Sequence, residues 1–214
     1  MSWSLQTPGI SLTASLSLAV TAGDLVCVAL IDEVAGSTAT LGDGINSYSP
    51  IKTVSDDTHS VTMLAWYFVA LTTTTLTIAA TGASGTYQIS AGSFRNGTLG
   101  DPGHANNGQV TAGTSISSLT YACTAGDLQV GWVTDTSAIP AANWATAGAT
   151  FTRLAGATQQ DGSNPATAME YNLDSAGGTL DSPWTGADTN ACIAIGASFS
   201  PAAAPVGNPK PWLE

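Results

Sequence analysis

Few side chains in this sequence have both the type and the spacing to do chemistry. Two histidines, His59 and His104, stand in Asp-Asp-Thr-His-Ser and Pro-Gly-His-Ala-Asn, loop-like contexts that put neither in a metal-spaced cluster. Adjacent carboxylates at Asp32-Glu33 and Asp56-Asp57 have the residue types of a glycosidase pair, but in a chain of net charge −11 loop acids are the expected background. Asp43-Gly-Ile-Asn46 and Asp161-Gly-Ser-Asn164 offer hard oxygen ligands in turns, without the twelve-residue EF-hand spacing. Serine is abundant, yet no Gly-x-Ser-x-Gly elbow occurs and neither histidine has the context of a triad. The expectation is a protein with no catalytic, cofactor-binding or metal-binding residues, and not an enzyme.

Contact chemistry is better represented. Of the six tryptophans, Trp66 and Trp132 sit in apolar segments and read as core, whereas Trp144 and Trp184 lie near loops and read as contacts for a protein or a sugar. The stretch Pro201 to Pro211 is too proline-rich for a central strand and ends in Trp212-Leu213-Glu214. Besides a frayed end, it reads as a docking arm with Trp212 and Leu213 as apolar anchors. Cys27, Cys123 and Cys192 are odd in number and read as buried small hydrophobes, with one Cys123–Cys192 bridge left open. Asn96-Gly97-Thr98 reads as a turn after a strand rather than a used glycosylation site.

Composition says which elements must carry these residues. Hydrophobic residues make up 43% of the 214 and charged residues only 9%, far below the roughly one quarter of an ordinary soluble domain. Thr, Ser, Gly and Ala fill the gap, the small residues of short strands and tight turns. Four cations, Lys52, Arg95, Arg153 and Lys210, face fifteen Asp plus Glu, so neither nucleic acid nor an anionic membrane is an expected partner. No apolar run reaches the ~18 residues of a membrane helix, and Met1 leads into a polar start unlike a signal peptide.

The chain also resembles itself. Thr21-Ala22-Gly23-Asp24-Leu25 recurs as Thr124-Ala125-Gly126-Asp127-Leu128, an offset of 103, and matches in the same order continue from Ser15/Ser118 through Thr75/Thr179 to Ile89/Ile193. This is expected of an internal duplication whose period is too long for a solenoid. Asn106-Asn107-Gly108 and Ala112-Gly113 supply turn chemistry, which places the boundary at 108/109: copies at 1–108 and 109–200, then a tail at 201–214.

Within each copy Thr-Ala-Gly-Asp predicts a turn, with glycine at an unusual φ and the aspartate bonding back to its own backbone. Leu25 to Ile31 is continuously apolar and predicts a strand covered on both faces, as does Leu128 to Val133. Ala191, Ile193, Ile195, Ala197 and Phe199 alternate with smaller residues at period two. Val61 to Ala70 and Ala166 to Leu173 read as further long strands. The expected fold is all-β: two tandem antiparallel β-sandwiches, jelly-roll or immunoglobulin-like.

These motifs resemble a group of phage and prophage virion-associated proteins that repeat a Gly-Asp-Leu turn and strand and close each copy with a Phe-Arg turn and an Asn-Pro or Asp-Pro loop. Gly23-Asp24-Leu25, Ser93-Phe94-Arg95-Asn96 and Asp101-Pro102 follow that order, as do Gly126-Asp127-Leu128 and Pro140 to Trp144. The resemblance covers most of the chain and implies assembly or attachment rather than catalysis. The expected role is a phage virion structural protein, a head decoration or accessory protein first and a tail-fibre or neck component next. It would be assembled in the host cytoplasm, self-associate as a homo-oligomer and contact virion proteins such as the major capsid protein. The alternative is a carbohydrate-binding or adhesin module on a host-surface glycan.

Overall fold

The computed structural model describes residues 2–83, 87–96, 104–136, 145–146, 150–154, 167–185 and 191–201. Asp161 to Asn164, Trp144, Trp212 and Leu213 fall outside them. Every regular element among the described residues is a β-strand.

The first half contributes β1 (Ser4–Ser11), β2 (Ser15–Val20), β3 (Leu25–Asp32), β4 (Thr40–Gly42), β5 (Ser49–Asp56), β6 (Val61–Val69), β7 (Thr74–Thr81) and β8 (Tyr87–Arg95). They form a large sheet in the order β1-β8-β3-β6-β5 and a small one in the order β2-β7-β4. First pairs with eighth, second with seventh and third with sixth, all antiparallel. That is the order of a ribbon rolled into two facing sheets, the jelly roll, and it decides the topology the sequence left open. Only the fifth strand departs from it, pairing with β6 at the edge of the large sheet rather than with β4 in the small one. β3 is central, and all eight of its residues are buried, which is why its sequence shows no alternation.

The second half contributes β9 (His104–Ala112), β10 (Ser115–Ser117), β11 (Tyr121–Cys123), β12 (Leu128–Asp135), β13 (Ala145–Thr146), β14 (Thr152–Arg153), β15 (Thr167–Asn172), β16 (Gly178–Leu180), β17 (Pro183–Thr185) and β18 (Ala191–Phe199). Its large sheet runs β14-β15-β12-β18-β9 and its small one β10-β17-β13, the same two orders as the first half. One long pair of the first half, β2 with β7, is here split into β10 with β17 and β11 with β16. Ser118 and Ser182 bridge the break through Ser118 N–H to Ser182 O at 3.1 Å, beside Pro183, which has no N–H to donate to a ladder.

The two large sheets face each other. Leu25, Cys27, Ala29, Ile31, Met63, Tyr67 and Phe94 from the first half form one core with Leu128, Val130, Trp132, Met169, Ile193, Ile195 and Phe199 from the second. Tyr67 meets Phe199 edge-on at 5.3 Å between ring centroids, and Phe94 meets Tyr171 at 5.7 Å. Each fully buried Leu, Ile or Phe contributes about 1.5–3 kcal/mol, so this shared core ties the halves strongly. The alternate residues of the same strands point outward. Val26, Val28, Leu30, Leu64, Phe68 and Ile89 pack under the first small sheet with Leu16, Leu18, Leu76 and Ile78. Val133, Ala168, Ala194 and Cys192 pack with Ile116 and Trp184 under the second.

The expected boundary at 108/109 needs correction, because it falls inside β9, which pairs with β18 from His104↔Phe199 to Ala112↔Ala191. Asn106-Asn107-Gly108 reads locally as a turn, but at a sheet edge polar residues tolerate solvent and the strand persists. Gly108 has a packing reason: a Cβ there would lie 2.9 Å from both Ile195 Cγ1 and Val54 Cγ2, so the glycine lets the second half approach β5 of the first.

Candidate functional site

The residues that looked chemical in the sequence are engaged in local structure. Asp43 accepts N–H bonds from Ile45 and Asn46 at 2.8 Å, the Asn46 amide at 2.7 Å and the Tyr48 hydroxyl at 3.2 Å. Burial pulls its pKa up, but these bonds outweigh it and hold it below the ordinary value. Asp56 caps the β5–β6 hairpin and meets His59 Nδ1 at 2.7 Å. Asp32 accepts the Ser37 hydroxyl at 2.6 Å and Asp57 the Ser55 hydroxyl at 2.7 Å. His104 packs against Tyr67, tilted by 56° at 4.7 Å between ring centroids, across the join between the halves. Among the described residues no group of three or more His, Cys, Asp or Glu is arranged to hold a metal. Cys27, Cys123 and Cys192 are not joined by a disulfide in this structure.

Trp184, expected as a contact, is 0% exposed, and this is a second correction. Its neighbours Pro183 and Gly186 suggested a loop, but Trp184 lies on β17, opposite Ile116, with its ring against the large sheet. A sugar-stacking role loses that residue. Trp132 is core as expected, while Trp66 is only partly buried.

What sequence reasoning missed is a polar cluster between the sheets of the second half. Pairs that are apolar in the first half, Val26 with Phe68 and Val28 with Trp66, correspond by register to Gln129 with Asn172 and Gly131 with Glu170. Asn172 Nδ2 donates to Gln129 Oε1 at 3.0 Å, Gln129 Nε2 to Tyr121 Oη at 3.3 Å, and Tyr121 and Ser182 share a hydroxyl bond of 2.8 Å. Glu170 is 0% exposed, and neither carboxyl oxygen has a hydrogen-bond partner. Burial, with help from the nearby Asp181 charge, pushes its pKa up to about 9, so the group is a neutral acid at physiological pH. A cleft of about 240 Å³ adjoins the cluster, with Gln129, Asn172, Asp181 and Phe151 in its wall. The signal available in the sequence was glycine inside strands: a Cβ on Gly196 would lie 2.5 Å from Tyr121 Cε1, and one on Gly131 2.7 Å from Ser182 Cβ.

The duplicated Thr-Ala-Gly-Asp motif builds the same turn twice. Gly23 and Gly126 take φ of 88° and 86°. Asp24 accepts the Thr21 N–H at 2.8 Å and Asp127 the Thr124 N–H at 2.7 Å. Each turn is also laced to the segment that follows the neighbouring strand, β6 or β15, by Gly23 N–H to Ala70 O and Gly126 N–H to Ser175 O. The surroundings then diverge. Asp24, 1% exposed, takes Arg95 Nε at 2.6 Å and the Ser93 hydroxyl at 3.1 Å. By register Leu25↔Phe94 and Leu128↔Phe199, the place of Arg95 falls to Ser200. Nothing in this set forms a nucleophile–base pair; the arrangement braces a scaffold and presents polar pockets at its surface.

No protein-family model, curated protein or solved structure matches the chain.

Proposed function

We propose that this chain is a non-catalytic structural protein of a phage virion, a head decoration or accessory protein first and a tail-fibre or neck component next. The observation that carries the reading is the back-to-back packing of two jelly-roll halves with the same strand order, which leaves two related but non-identical outer surfaces on one rigid block. Viral capsid and lectin domains use this roll, so the step from roll to virion is one of fold analogy. The ordered repeat at an offset of 103 and the two matched turns support a duplicated gene as its origin. The partners in this reading are the major capsid protein and further copies of the chain.

Quantitative mass spectrometry of purified virions from the encoding phage tests it. The protein should be present at a copy number that fits the particle's symmetry, and absence from purified particles would sink the reading. Removing residues 205–214, which carry Trp212 and Leu213, should leave the sandwiches folded while lowering particle association; unchanged association would refute the docking arm.

A further inference from the structure

Beside each Thr-Ala-Gly-Asp turn lies a pocket in the same place of each half. In the first half it measures about 190 Å³ and is lined by Gln6, Thr21, Asp24 and Arg95, among others. In the second it measures about 310 Å³ and is lined by His104, Cys123, Thr124, Asp127, Ser198 and Ser200. The first half shows what this geometry holds: the Arg95 guanidinium on the Asp24 carboxylate, whose other oxygen is occupied by the turn's own N–H. The second half keeps the turn and the 3%-exposed Asp127, but carries serine where the arginine would be, and among the described residues no cation pairs with Asp127.

We infer that the pocket at Asp127 is a guanidinium-binding site that takes an arginine side chain of a partner protein. The Asp127 carboxylate, which accepts the Thr124 N–H on one oxygen and also faces the Cys123 thiol, supplies the charged acceptor, and Ser198, whose hydroxyl donates to Ala122 O, and Ser200 line the same pocket and can accept further guanidinium N–H groups. Arginine suits a partly buried carboxylate better than lysine, because its planar fork is weakly hydrated and bonds in more than one direction. Charge agrees, since a chain with fifteen acids and four cations recruits basic partners. The inference stands on the two turns and does not depend on the virion reading.

The test is an amide NMR titration of the whole chain with an acetylated, amidated Gly-Arg-Gly peptide and its citrulline counterpart, which has the same shape and no charge. The arginine peptide should give saturable shifts at Thr124, Asp127 and Ser198 with none at Thr21 and Asp24, and the citrulline peptide should give none. Asp127→Asn keeps an acceptor for the turn and should weaken binding by about tenfold or more. Ser200→Arg should occupy the pocket from within and abolish binding, and Arg95→Ser should open a second site at Asp24. Equal response to the two peptides, or undiminished binding by Asp127→Asn or Ser200→Arg in a chain whose spectrum remains folded, would overturn the inference.

Discussion

Glu170 stands directly across from Gly131 in the β12–β15 ladder, and a Cβ on that glycine would lie 3.1 Å from the Glu170 carboxyl oxygen. The corresponding pair of the first half is Val28 and Trp66. Two halves with one strand order are therefore filled differently between their sheets, one with apolar side chains and the other with an acid, an amide pair and hydroxyls.

The acid makes stability depend on pH. Glu170 titrates near 4.5 in the unfolded chain and near 9 in the fold, so its contribution is fully present below about pH 4.5 and is lost progressively as pH rises to about 9. Glu170→Gln removes that dependence. Its melting midpoint should exceed that of the wild type increasingly from pH 5 to 9, by roughly 5 °C or more at the upper end. A constant difference across that range, measured by calorimetry, would show that Glu170 does not keep its proton in the fold.

The glycines that admit the cluster should resist a methyl group. Gly196→Ala would press on Tyr121 and on the hydroxyls of Ser118 and Ser182, both 2.6 Å from the new carbon, and should cost about 1–3 kcal/mol in urea unfolding. Gly42→Ala meets nothing within 4 Å and serves as the neutral comparison. Equal stability of the two variants would mean that the sheets are not packed this closely.

The shared core should make the halves unfold together. Trp132 is 0% exposed between the large sheets, and Trp132→Ala should lower the whole transition by about 3–5 kcal/mol while keeping it single. Hydrogen exchange would then report the same loss of protection in β3 as in β12. Loss confined to the second half would show that the sheets do not share a core.

Much of this was legible in the residues because it is local. Thr-Ala-Gly-Asp encodes its turn within four positions, and Ile193, Ile195, Ala197 and Phe199 declare by alternation the face of β18 that enters the core shared by the large sheets. What depends on distant contacts was not legible. Asn106 to Gly108 has turn chemistry, yet β18 holds it extended. Trp184 has loop-forming neighbours, yet the large sheet covers its ring. Glu170 is unremarkable among fifteen acids until the fold places it opposite a glycine between two sheets. Arg95 and Asp24 are 71 residues apart, so only the β3–β8 pairing brings them together.

The virion assignment is tested most directly by a reconstruction of the encoding phage particle. The expected result is density for a block of stacked β-sheets, the two large sheets innermost, repeated by the particle's symmetry and seated against the capsid shell or an adjoining tail or neck protein. A complete particle map at side-chain resolution in which every density is accounted for by other chains would contradict it.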